Sequence, residues 1–181
     1  MQALKLLKDF KAGRCWSEIS DESFDQFLQK NPAYFGKLIG VALKNYTDYS
    51  WRAAWLVART LKTNDDRIQP YRLKIIRALR GKSSGHQREL MKILMDSKLT
   101  RYQEGCLFDV CVSIWENHSL QSGTRYLAFQ FISKIMKHYP AMFAEVSVLF
   151  SHESILKLSP GIQALVKRQL NDVIKRHTIN P

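Results

Sequence analysis

The chain has 181 residues, 45% of them hydrophobic, with only 8 Gly and 5 Pro. Long alternating runs of β-branched residues are absent, which disfavours a sheet protein. No apolar run reaches the roughly 18 residues of a membrane span, and the net charge of +12 is concentrated: residues 67–101 hold ten basic and two acidic side chains, a net of +8.

The elements read as helices from end to end. Residues 2–12 carry lysines through their apolar part, which makes an amphipathic helix rather than a secretory signal. Ser20, Asp21 and Glu22 read as a helix start with acids in the first turn, and Asn31-Pro32 as the boundary to the next helix. Further helices are expected at about 32–45, 50–62, 66–80, 84–96, 101–117, 123–138, 140–151 and 159–177, making ten with 2–12 and 20–31. Ile68, Tyr71, Ile75, Ile76 and Leu79 share one face of their helix at about 100° per residue. Leu107, Val110, Cys111, Ile114 and Trp115 form a second stripe. Ile162, Leu165, Val166, Leu170, Val173 and Ile174 form a third. Each stripe needs a partner to cover it. Asn64-Asp65-Asp66 and Thr100 are helix starts, and the run from Gly81 to Gly85 is a turn. Cys15, Cys106 and Cys111 form no C-x-x-C pair, so a cytoplasmic protein with reduced thiols is expected.

A period runs through these helices. Residues 31–39 (NPAYFGKLI) and 139–147 (YPAMFAEVS) open helices with the same Pro-Ala pattern, and Pro32 and Pro140 are three steps of 36 apart. Arg52, Arg88 and Arg125 stand near three helix starts, followed three residues later by Trp55, Met91 and Ala128. A helical hairpin of two such helices needs about that length and buries its apolar face only by stacking on the next. Residues 48–59 (DYSWRAAWLVAR) resemble the second helix of a HEAT repeat, with an aspartate in the turn and an arginine at the helix start, and residues 125–128 (RYLA) resemble the same element. Ser50–Leu61 and Tyr102–Phe150 also resemble a HEAT-like family of bacteroidete bacteria. The resemblance implies an all-α fold, a short right-handed α-α superhelix of the armadillo/HEAT solenoid kind. It implies one domain over 1–181, with capping helices to residue 31 and about four hairpins over 32–177. Ser84 and Gln121 stand where the later repeats would carry the turn aspartate.

Candidate site residues follow from charge and aromatic placement. Lys74 and Arg77 project from a first helix, Arg80 and Lys82 lie at the turn, and Arg88 and Lys92 are one turn apart on a second helix. Such a cluster can hold an acidic peptide or phosphates, with binding weakened by salt, or simply solvate the chain. Arg72 falls inside the apolar arc and is expected to pair with a carboxylate. Trp51 and Trp55, one turn apart beside Arg52, could grip a peptide side chain or a base, or pack as core. Arg125 joins this set through the resemblance. The five histidines form no H-x-x-x-H or H-E-x-x-H pair, and no phosphate loop, nucleophile elbow or paired carboxylates stand out. No catalytic residue, metal ligand or cofactor is expected.

Two functions follow. The first is a non-enzymatic, monomeric binding scaffold for a protein or acidic peptide, using Trp51, Arg52, Trp55, Lys74, Arg77, Arg80, Arg88, Lys92 and Arg125, without membrane contact. The alternative is nucleic-acid binding, by likeness of architecture to the HEAT-like alkylpurine DNA glycosylases. Their catalytic aspartate is not placed on this sequence, since Asp48, Asp65 and Asp66 read as turn or capping residues.

Overall fold

The computed structural model describes residues 26, 28–45 and 50–179, with side chains as far as Lys175. The expected helix at 2–12, Cys15, the helix start at Ser20 and the turn at Asp48 lie outside the described residues. Among the described residues every regular element is helical, and no helix is long and apolar enough to cross a membrane.

Local chemistry sets the helix boundaries. Helix α1, Pro32–Ala42, has its proline where a missing N–H costs nothing. Helix α2 is Ser50–Thr60. The single helix expected at 66–80 is instead a 3-10 helix, Asp66–Tyr71, followed by α3, Arg72–Ala78. Pro70 is the reason: its ring lacks the N–H and would meet the carbonyl one turn earlier in an α-helix. Gly81, at φ 74°, turns the chain in the left-handed region where a side chain would be strained. Helix α4, Ser84–Met95, follows.

Helix α5, Arg101–Glu116, opens with a capping box in which Thr100 and Gln103 satisfy each other's backbone N–H. Helix α6 is Ser122–His138. The helix expected at 140–151 is broken into a 3-10 turn at Pro140–Met142, α7 at Phe143–Ser147 and a second 3-10 turn at Val148–Phe150. Ser151 is extended (ψ 153°) and its hydroxyl accepts from the Ser154 N–H, which starts a new helix, α8, His152–Leu156. Helix α9, Pro160–Ile179, is the last.

The chain forms two compact units, Met1–Leu99 and Thr100–Pro181. In the first, α2 packs on both α1 and α4, and α3 packs on α4. The second helices of the two hairpins are therefore neighbours. The shared core includes Phe35 and Ile39 of α1, Ala54 and Val57 of α2, Ile75 and Ile76 of α3, and Leu90 and Met91 of α4. Each fully buried aliphatic side chain is worth about 1.5–3 kcal/mol of transfer free energy. Polar ties reinforce the packing. The carbonyls at the end of α1 are received by the next hairpin: Lys82 Nζ donates to Leu43 O and Lys44 O at 2.8 Å and to Asn45 Oδ1, and His86 Nε2 lies 2.7 Å from Ala42 O. These are the orphan acceptors that every helix leaves at its C-terminus, and a lysine there also complements the helix dipole.

In the second unit α5 packs on α6, and α6 on α9. Trp115, Phe129 and Phe150 form an aromatic cluster with ring centroids 5.1–5.7 Å apart, and the Trp115 indole N–H donates to Leu149 O at 2.7 Å. The stripe predicted over 162–174 is only partly covered. Val166 and Val173 are buried, whereas Ile162, Leu165 and Leu170 are half-buried and Ile174 is 42% exposed. Among the described elements α9 lies against α6 and the short α8, too little to cover the whole arc.

Candidate functional site

The second helices of the first unit carry most of the residues singled out in the sequence. Trp51 and Arg52 occupy the first turn of α2, and Trp55 follows one turn later, on the side away from the buried Ala53, Ala54, Leu56 and Val57. Trp51 is 41% exposed, with the Arg52 guanidinium 5.4 Å from its ring centroid. Trp55 is half-buried, and the Arg59 guanidinium stacks on it at 4.7 Å. Arginine over an indole face is a cation–π contact, and it holds both side chains in a defined position. On the adjacent helix α4, Arg88 and Lys92 both reach Glu89, at 3.1 and 3.0 Å. Glu89 is only 2% exposed, while its two cations remain 43% and 46% exposed. The buried carboxylate fixes two basic side chains at the surface and removes one unit of their joint charge.

The rest of the set lies elsewhere. Lys74 and Arg77 are exposed on α3, a first helix, and Arg80 is exposed in the turn that follows it. Arg125 belongs to the second unit and is fully buried. Its Nε donates to Trp115 O at 2.8 Å and its Nη2 to Ser154 O at 3.1 Å, with the guanidinium 4.9 Å from the Trp115 ring centroid. Burial lowers its pKa. It anchors the end of α5 to α8 and has no surface to offer a ligand, a correction to its expected binding role.

The basic run of residues 67–101 is therefore a mixture. Arg67 pairs with Asp65 at 2.7 Å, donates to Thr60 O at 2.9 Å and lies 5.0 Å over the Phe35 ring. Lys82 closes α1, and Arg88 and Lys92 serve Glu89. Arg72 is 5% exposed, as the apolar arc predicts, but no carboxylate among the described residues meets it and its Nε lacks a hydrogen-bond partner. Among the described residues, the buried carboxylate Glu89 is engaged by Arg88 and Lys92 instead. Lys74, Arg77, Arg80, Lys98 and Arg101 are exposed.

Asp65 caps the 3-10 helix by accepting from the Arg67 N–H, and its bonds to the Arg67 side chain hold its carboxyl below the ordinary carboxylate range. That is a capping residue, as its sequence context implies. Among the described residues no three His, Cys, Asp or Glu side chains converge on a point where a metal could sit. Burial raises the Cys111 thiol far above its ordinary value, so it remains protonated and unreactive.

Sequence reasoning missed two features. Glu89 stands between Arg88 and Lys92 in the sequence, and its spacing to Lys92, i to i+3, was the available signal. A cleft in the second unit, bordered by Glu104, Lys134 and Lys137, carried no motif at all. No curated protein and no solved structure is detectably similar to this chain. The HEAT repeat domain, in contrast, matches residues 17–173, across the hairpins just described, and the chain belongs to the HEAT repeat family.

Proposed function

We propose that this protein is a non-enzymatic scaffold that binds a protein or acidic peptide along the second helices of its first unit. The observation that carries the reading is a 41%-exposed tryptophan, Trp51, on α2, together with the anchored cations Arg88 and Lys92 on α4, the helix that packs against it. Tryptophan and arginine are enriched among the few residues that carry most of the binding energy at protein interfaces, the tryptophan because it buries a large rigid area at little entropic cost. Cations at the rim add orientation and association rate. HEAT repeats as an architecture present stacked helices over an extended surface, and a peptide lying across α2 and α4 would use that surface.

The test is a peptide-display selection against the intact protein, followed by calorimetric titration of the enriched peptides. Acidic peptides with an apolar anchor should be enriched, and Trp51→Ala should weaken them by about tenfold or more, the 1.4 kcal/mol scale of a modest hot spot. The double variant K74E/R77E should leave them within about twofold, since exposed rim charges contribute little. If no peptide is enriched, or if binding survives Trp51→Ala and disappears in K74E/R77E, the reading fails. A duplex DNA titration at two salt concentrations separates the nucleic-acid alternative, whose affinity would fall steeply with salt.

A further inference from the structure

The second unit holds a cleft that the helix-face reading does not use. A recess of about 430 Å³ is lined by Glu104, Gln130, Lys134, Lys137, His138 and Gln169, with Ile135 at its wall. A smaller recess of about 160 Å³, walled by Phe108 and Met142, adjoins it and shares Glu104 and Ile135. Arg101 lies in the smaller recess, its guanidinium 6.0 Å from the Tyr139 ring centroid. The cleft therefore draws side chains from α5, α6 and α9, which are distant in sequence.

Charge and hydrogen-bonding capacity are unbalanced here. Glu104 is the one carboxylate among the lining residues, and the Tyr139 hydroxyl donates to it at 2.9 Å. Lys134 and Lys137 are exposed and i, i+3 on α6, and neither has an ion pair or hydrogen bond among the described residues. The half-buried amides of Gln130 and Gln169 likewise have no partner among the described residues. Lys137 and His138 stand in the last turn of α6, where cations complement the helix dipole. That accounts for them but not for Lys134 or the two amides. The first turn of α5 also borders the cleft, and its positive end opposes the negative end of α6, so the side chains decide the local field.

We propose that this cleft binds a small organic phosphate ester, with the phosphate between Lys134 and Lys137 and the polar organic part against Gln130, Gln169 and Ile135. Two lysine point charges one turn apart suit a dianion better than a single carboxylate. A recess of about 430 Å³ falls within the size range of small-molecule sites and is far larger than a bare phosphate. The recess leaves room for further ligand atoms, and the amides offer them both donors and acceptors.

The experiment titrates the intact, isotopically labelled protein with glycerol 3-phosphate in low-salt buffer and follows backbone amide shifts. Saturable shifts are expected around Gln130, Lys134, Lys137 and Gln169, with acetate at the same concentration giving much weaker ones. K134Q/K137Q should weaken binding by about tenfold, and K74Q/R77Q, on the first unit, should leave it unchanged. The proposal is overturned by shifts that do not saturate, by acetate binding as well as the phosphate ester, or by an equal loss in both double variants, which would mean diffuse attraction to a basic chain. A negative result here leaves the peptide reading untouched, since the two use different units.

Discussion

Arg88 and Arg125 stand near the starts of second helices in the two units, and their surroundings are opposite. Arg88 is half-exposed, on a carboxylate it shares with Lys92. Arg125 is sealed against the Trp115 ring and gives two hydrogen bonds to backbone carbonyls. The second helices open at residues 50, 84 and 122, steps of 34 and 38. The repeat thus brings an arginine to a comparable place but leaves its partner to the local chain. Where a buried carboxylate is at hand the arginine stays at the surface; where free carbonyls lie inside, it goes in.

The largest effect that would test this contrast is on Arg125. Truncating a fully buried, hydrogen-bonded cation leaves a cavity and strips two carbonyls of donors, so Arg125→Ala should cost about 3 kcal/mol. Hydrogen exchange should show the loss in α5 and α6. Arg125→Lys should recover little, since one ammonium cannot reproduce the planar fork. Arg88→Ala should cost under about 1 kcal/mol, as exposed pairs do. An equal cost for the two arginines would erase the distinction.

The next effect lies in the first unit and is non-additive. Lys92→Ala alone should also cost under about 1 kcal/mol. The double variant R88A/K92A strands the buried Glu89 carboxylate with neither cation, and should cost about 2–3 kcal/mol, more than its parts together. Denaturant unfolding of the four proteins of this cycle measures the coupling. Additive losses would mean that water already serves the carboxylate.

These side chains also show what the sequence could and could not disclose. The packing stripes at 68–79 and 107–115 were legible because a helix repeats every 3.6 residues and burial follows that period. The Thr100 cap was legible because its partner, Gln103, is three residues away. The positions three residues after Arg88 and Arg125, Met91 and Ala128, are buried as the repeat implies, while Trp55 after Arg52 is half-buried. The break at Pro70 could have been read from proline chemistry. Lys82 could not have been placed, because its acceptors are carbonyls near residues 43 and 44, and a carbonyl has no sequence signature. Arg125 was opaque for the same reason. The resemblance placed it among the candidate binding residues, and its acceptors were backbone atoms.

A pH effect follows from His86, which ties α4 to the end of α1. Burial is the first cause lowering its pKa from 6.5, followed by the opposing hydrogen bond to Ala42 O and the repulsion of Lys82. The unfolded chain then binds the proton more readily than the folded one, so the stabilising contribution is complete above pH 6.5 and is lost as pH falls through the folded-state value. Stability of the first unit should decline as pH drops below 6.5, and His86→Gln should flatten that decline. An unchanged pH profile in the variant would assign the effect to other groups.

The smallest expected effect on stability, and the sharpest on function, is at Trp51. A side chain 41% exposed at the first turn of a helix contributes little to the core, and its loss should change stability by no more than about 0.5 kcal/mol. Ala54, on the same helix, is fully buried, so the enlargement Ala54→Leu should overpack the core and cost about 1–3 kcal/mol. A tryptophan retained at the surface without a structural task is a sign of recognition; one whose removal unfolds the unit is packing. If Trp51→Ala melts the first unit as severely as Ala54→Leu does, its exposure has no functional meaning, and the second-helix face loses its anchor.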